Sequence, residues 1–293
     1  MSLFETCKPL IGVVHLPPLP GTPGYKSRKF PPRLGRLWSI EDIVEYGISE
    51  SRIYEESGFD AIIVENYGDT PYGSKPAPAQ IASMTRVVHE ITKAVTIPVG
   101  VHFVGRAGWV SLSVAYPSGA SFIRAAVCEA RNGSLGIVSD EAIRLATTLS
   151  SLGLYPESSN QKITILADLS IPQTTTQIEA SLATSTESCI DLSGIPIDGL
   201  ILTGPSTGGP PDVDTVTTVR RVAEEKGVRL LVGSGISQLN LAKFWNIADG
   251  FIVGSSVKLG GEAWNPIDKE KARLIASLAR SMKKTTPECG GVY

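Results

Sequence analysis

The chain has 293 residues, 42% of them hydrophobic and 19% charged, which is enough apolar material for a large core and excludes wholesale disorder. Lys and Arg number 27 against 29 Asp and Glu, a formal net charge of -2, so a phosphate polymer or an anionic membrane surface meets no basic excess. The length suits one α/β barrel domain over 1–293 or two smaller units, and no Pro/Gly/Ser-rich linker divides it.

Taken in chain order, eight short apolar runs rich in β-branched residues predict strands. They are Leu10–Leu16, Ala61–Asn66, Val99–Val104, Phe122–Val127, Ile163–Leu169, Gly199–Gly204, Arg229–Gly235 and Gly250–Ser256. Nearly continuous apolar strands are what a parallel sheet buried on both faces requires. Between them, apolar positions recur at helical spacing over Ser39–Glu56, Ala79–Ala94, Asp140–Leu152, Val213–Lys226, Gln238–Asn246 and Asp268–Lys283. Eight strand–helix alternations predict a (β/α)8 TIM barrel, with a doubly wound open sheet as the rival. Three segments interrupt the rhythm: 17–37, read as a lid on the active-site face, the polar connector 156–162, and the Ser/Thr-rich stretch 174–194.

Barrel enzymes carry their chemistry at the C-terminal ends of strands. Two Gly/Ser turns close the last two strands, Gly233-Ser234-Gly235 and Gly254-Ser255-Ser256. Glycine lets main-chain N–H groups approach an anion, so these turns predict a barrel of the phosphate-binding type. Lys258 follows the second turn, within expected reach of the same phosphate. Thr203 and Gly204 after strand six, and Asn66 after strand two, are candidate substrate contacts.

Candidate catalytic residues are Glu65, Asp168 and His15 at the ends of apolar strands, and Arg124 carried within the fourth. The carboxylates have three readings: proton transfer, holding a divalent metal together with His15, or a core ion pair with Arg124. His102 reads as a core histidine. No strand ends in lysine, so a Schiff-base nucleophile is missing. The four cysteines, Cys7, Cys128, Cys189 and Cys289, are widely spaced without a CxxC pair; neither a zinc site nor a disulfide framework is expected. The N-terminus shows no signal or transit pattern and no run reaches membrane-spanning length, so a cytoplasmic protein without a transmembrane segment is expected. A homo-oligomer is an arrangement open to a barrel that no sequence feature selects.

Several stretches resemble the BtpA family across nearly the whole chain: IGVVHLPPLP from Ile11, DAIIVENYGDTP from Asp60, ASMTRVV from Ala82, and Phe122-Ile123-Arg124. Further on come Leu166-Ala167-Asp168, ILTGPSTGGPPD from Ile201, LVGSGIS from Leu231 and ADGFIVGSSVKLGGEAWNPID from Ala248. The resemblance implies a phosphate-binding barrel. It leaves two functions open: an enzyme acting on a phosphorylated small molecule (a sugar phosphate or nucleotide), or a non-catalytic assembly protein, since the namesake is implicated in photosystem I accumulation. The sequence departs from the family at Gly105-Arg106-Ala107-Gly108, Ala125-Ala126 and Leu169-Ser170-Ile171-Pro172, losing polar residues at three neighbouring strand ends. These losses imply a changed substrate, or binding kept without the reaction.

Overall fold

The computed structural model describes residues 3–25, 38–72, 75–105, 107–128, 140–155, 162–169, 183–184, 186–187, 189–191, 195–204 and 208–289. Most of the expected lid (26–37), most of the connector 156–162, Arg106 and most of 174–194 lie outside these residues. Eight parallel strands, β1 to β8, close into a barrel in sequence order. They are Leu10–His15, Ala61–Glu65, Val99–His102, Phe122–Cys128, Thr164–Leu169, Gly199–Leu202, Arg229–Val232 and Gly250–Val253. The β1–β8 pairing, with Leu10 opposite Phe251, completes the ring and excludes the open sheet.

The helices described are α1 (Ile40–Ser57), α2 (Pro78–Ala94), α3 (Gly108–Ser118), α4 (Asp140–Ser151), α5 (Val213–Glu225), α6 (Leu241–Phe244) and α7 (Lys269–Thr285). α1 begins with a capping box, Ser39 accepting from Asp42 N–H while Asp42 accepts from Ser39 N–H, and stops at Gly58 in the left-handed region (φ 92°). α3 has no counterpart among the expected helices. Its sequence, GWVSLSVAYPS, is apolar on every side and contains Pro117, so no amphipathic period marks it. Packing of Val110, Leu112, Val114 and Ala115, all fully buried, holds it in place.

Closure divides the core into two shells. Leu10, Val14, Ile62, Val64, Val101, Ile123, Ile165, Leu200, Leu230 and Phe251 face the helices in the larger cluster. Ile11, Val13, Ala61, Ile63, Phe122, Leu166, Ile201, Leu231 and Ile252 fill the barrel interior. Phe122 occupies space that Gly100 leaves: a Cβ at Gly100 would sit 2.2 Å from the ring. Leu3 joins the interior cluster and Phe4 packs against it, plugging the end where the strands begin.

The expectation about cysteines fails. Cys7 and Cys289 are joined by a disulfide across 282 residues of chain, and Cys189 is disulfide-bonded too. Wide spacing in sequence hid this, because barrel closure brings β1's entry and α7's exit together. Among the described residues no helix is long and apolar enough to cross a membrane. A cross-link enclosing so much chain acts on the unfolded ensemble, so Cys7→Ser should lower stability by about 2–5 kcal/mol. In thermal melts this reads as a Tm fall of roughly 5–15 °C. Dithiothreitol should lower the wild-type Tm and leave less to lose in the variant.

Candidate functional site

Side chains alternate along a strand, so the residue two past each interior apolar residue also points inward, one layer nearer the C-terminal mouth. Applied to all eight strands, this gives His15, Glu65, His102, Arg124, Asp168, Thr203, Gly233 and Gly254. The interior is therefore apolar below and polar at the mouth, with its two glycines on adjacent strands. The register supports the common level on one side, where His15 pairs with Glu65 and Glu65 with His102 as Cα partners.

The charges in this layer are paired. Arg124 grips Asp168 with two nitrogens, Nε at 2.9 and 3.0 Å from the two carboxylate oxygens and a terminal nitrogen at 2.8 Å. Burial opposes the Arg124 charge, but Asp168 overrides it and raises the guanidinium pKa. Glu65 takes His102 Nδ1 at 3.1 Å. Burial alone would push Glu65 up; the charge and hydrogen bond of His102, helped by His15 and Arg124, bring it down to about 2. His102 was read as a core histidine; it instead belongs to the mouth, one side-chain hydrogen bond from Glu65. The parity of Val99–His102 was the signal that could have placed it.

His15 is different. Burial holds its pKa down to about 4, with Lys258, Arg124 and His102 acting the same way against Glu65. Its Nδ1 is buried with no hydrogen-bond partner among the described residues. The ring lies edge-on to Tyr67, centroids 4.9 Å apart, and Tyr67 in turn meets Trp264 at 4.3 Å. On the other side, a Cβ on Gly254 would lie 3.3 Å from His15 Cε1. His15 thus stands between the β8 turn and the Glu65–His102 pair.

The two Gly/Ser turns lie close together. Ser256 Oγ donates to the Ile236 carbonyl at 2.6 Å, tying the β8 turn to the β7 turn. Ser234 Oγ accepts from Gly204 N–H and donates to the Gly209 carbonyl, each at 2.7 Å. Gly235 (φ 67°) lies so close to the Gly209–Pro210 peptide that a Cβ would fall 2.1 Å from Pro210 N. The Ser234 hydroxyl is thus spent on the loop after β6, and the Gly204 N–H with it. Among the described residues, the main-chain N–H groups of Ser234, Gly235, Ser255 and Ser256 make no hydrogen bond. These amides, rather than the Ser234 side chain or Gly204, are the donors available to an anion. The expected helix over Gln238–Asn246 shrinks to the four residues of α6, and β8 leads into a three-residue 3-10 turn, Ser255–Val257. Helix dipoles therefore add little to the turns.

Two further expectations change. Lys258 does not reach toward the turns; it is fully buried and ion-pairs with Glu50 of α1. Asn66, 1% exposed, joins loops instead of facing a ligand: its Oδ1 accepts from Val104 N–H at 2.7 Å and its Nδ2 donates to Asp69 at 2.9 Å. Asp69 also accepts from Leu19 N–H at 2.8 Å, which fastens the described stem of the 17–37 segment to the β2 loop. Burial raises the Asp69 pKa against these hydrogen bonds. A metal shared by Glu65, Asp168 and His15 does not fit this layer, because Arg124 holds Asp168 and His102 holds Glu65. Among the described residues no group of three or more His, Cys, Asp or Glu side chains is gathered as metal ligands.

Fold, inward polar layer and glycine turns together define a (β/α)8 barrel with a polar mouth. The chain belongs to the BtpA family, which it matches over residues 6–281. It is 35% identical over 280 residues to an uncharacterised protein of Pyrococcus horikoshii, covering 94% of this chain and 98% of the relative. It is 28% identical over 282 residues to the photosystem I biogenesis protein BtpA of Synechocystis, covering 96% and 91%. Among solved structures, N-(5'-phosphoribosyl)anthranilate isomerase from Pyrococcus furiosus shares the fold with TM-score 0.55 at 15% identity, over 94% of this chain and 99% of that one. Thiamine phosphate pyrophosphorylase from the same organism does so with TM-score 0.52 at 12% identity, over 96% and 98%.

The shifted groups make stability depend on pH. Between pH 6.5 and about 4 the unfolded chain protonates the His15 imidazole while the folded protein does not, so stability falls with falling pH. The loss from this group is on the order of 3 kcal/mol. Below 4.5, protonation of Glu65 in the unfolded chain, resisted in the fold down to about 2, adds a second loss. Urea melts across this range should show both steps, and His15→Asn should flatten the upper one and shrink the lower, because His15 helps hold Glu65 down.

Proposed function

We propose that the barrel mouth binds a phosphorylated small molecule, either a sugar phosphate or a nucleotide, and performs proton transfer on it. The observation that carries this reading is the set of unbonded main-chain N–H groups at Ser234, Gly235, Ser255 and Ser256, on turns joined by the Ser256 hydrogen bond. Gly233 and Gly254 add no side chain of their own beside these amides; a Cβ at Gly233 would meet Ile201 Cγ2 at 2.2 Å and one at Gly254 would lie 3.3 Å from His15 Cε1. Solved structures that share the fold, at 15% and 12% identity, are named for phosphorylated compounds, which agrees with this choice.

In this reading the body of the ligand lies across the polar layer. Glu65 stays ionised, which makes it a weak base but a strong orienter. Holding His102 by Nδ1, it leaves Nε2 to take a proton from substrate. His15, neutral well below pH 7, lies nearest the phosphate turn and offers a hydrogen bond to an oxygen near the phosphate-bearing carbon. Arg124, fixed by Asp168, faces developing negative charge. Thr203 lines the wall beside Gly233. Homo-oligomeric assembly belongs to this proposal, whereas the Cys7–Cys289 bond weighs against the cytoplasmic location expected from sequence.

Thermal-shift screening with phosphorylated sugars and nucleotides tests the binding half, and a hit at about 100 times its Kd should stabilise by about 2.7 kcal/mol. Ser255→Asp, which sets a carboxylate beside the amides, should abolish that shift. With a turned-over ligand in hand, His102→Ala should cut kcat by about 10²–10⁴-fold. Unchanged turnover in His102→Ala, Glu65→Ala and Asp168→Ala would remove the catalytic assignment. A second reading, a non-catalytic assembly protein, is favoured by the name of the Synechocystis relative. It predicts no turnover of any hit and a partner retained through purification.

A further inference from the structure

Lys258 ends the turn after β8, and its side chain is 0% exposed. Its ammonium meets the carboxylate of Glu50, in the third turn of α1 and itself 3% exposed. The other Glu50 oxygen lies 3.4 Å from Ile267 N–H. Lys258 and Ile267 also form an antiparallel bridge, flanked by Leu259 N–H to the Pro266 carbonyl at 2.9 Å and Asp268 N–H to the Val257 carbonyl at 2.8 Å. Residues 258–267 are therefore a loop whose two feet stand on one buried carboxylate. That loop carries Trp264 onto Tyr67, and Tyr67 rests on His15.

Stability does not account for this arrangement. Two charges taken out of water lose several kcal/mol of solvation each, and an apolar pair of similar volume often serves as well. A buried ion pair does fix position, because the ammonium is held where the Glu50 carboxylate meets its charge. Here that place lies behind Ser255–Val257, the turn with the unbonded amides.

We propose that Glu50 and Lys258 are positioning residues for anion binding. They hold the Ser255 and Ser256 N–H groups in register with Ser234 and Gly235, and they seat the Trp264 loop over the mouth. The proposal rests on the phosphate reading of the turns. It assigns the function of a lysine that sequence placed on the phosphate to the scaffold behind it.

The test is calorimetric titration with inorganic phosphate, each variant measured well below its own Tm. Glu50→Asp withdraws the carboxylate by one methylene and should fold; it should weaken phosphate binding by about 3–10-fold. The apolar double variant Glu50→Leu/Lys258→Met should melt near the wild type yet lose about tenfold or more in affinity. Lys258→Arg, which keeps charge and partner, should bind within a factor of about three of wild type. Wild-type affinity in both Glu50→Asp and the folded double variant would reduce the pair to a structural element and overturn the proposal. No phosphate binding by the wild type would overturn the reading of the turns, and the positioning role with it.

Discussion

The constraint on which the molecule depends is closure of a parallel sheet into a ring. Once β1 pairs with β8, half of every strand's side chains point into a space sealed from water except at the mouth. Apolar residues fill that space up to a level, and above it the chain places His15, Glu65, His102, Arg124, Asp168 and Thr203. The Arg124 and Asp168 charges persist at this depth because they meet one another, and Glu65 is held beside His102 by a hydrogen bond. Among the described residues, the main-chain N–H groups of the last two turns, at Ser234, Gly235, Ser255 and Ser256, stay unbonded beside this layer.

Much of the fold was legible because buried parallel strands leave a plain mark, runs such as LIGVVH and AIIVE with no polar alternation. Six of the eight expected strands overran the observed ones by one to three residues at their C-terminal ends; the fifth ended at the same residue, Leu169, and the fourth stopped one short of Cys128. Those extra residues, among them Asn66, Gly233 to Gly235 and Gly254 to Ser256, belong to the turns. Their apolar or small character serves close loop packing, which a propensity argument cannot tell from pairing. α3 was invisible for the opposite reason, since a helix surrounded by protein carries no polar stripe.

The candidate site was legible as a set of positions, Glu65, Asp168 and His15 at strand ends and Arg124 within a strand, and less so in its wiring. Only coordinates show which carboxylate holds which cation, because that depends on stagger between strands rather than on any local pattern. Lys258 illustrates the limit. Its place after a glycine turn suggested an anion partner, whereas its long side chain turns back 208 residues in sequence to Glu50. Ser234 and Asn66 make the same point: hydroxyl and amide groups beside a mouth serve neighbouring loops as readily as ligands.

The Cys7–Cys289 link has a topological meaning beyond its energy. With entry and exit of the barrel joined at the pole opposite the mouth, the polypeptide between them is a covalent circle. A single protease cut in any loop inside that circle opens it without releasing a piece. Such a nicked chain would migrate as one species on a denaturing gel until thiol was added, and its halves would stay tethered while the barrel re-formed.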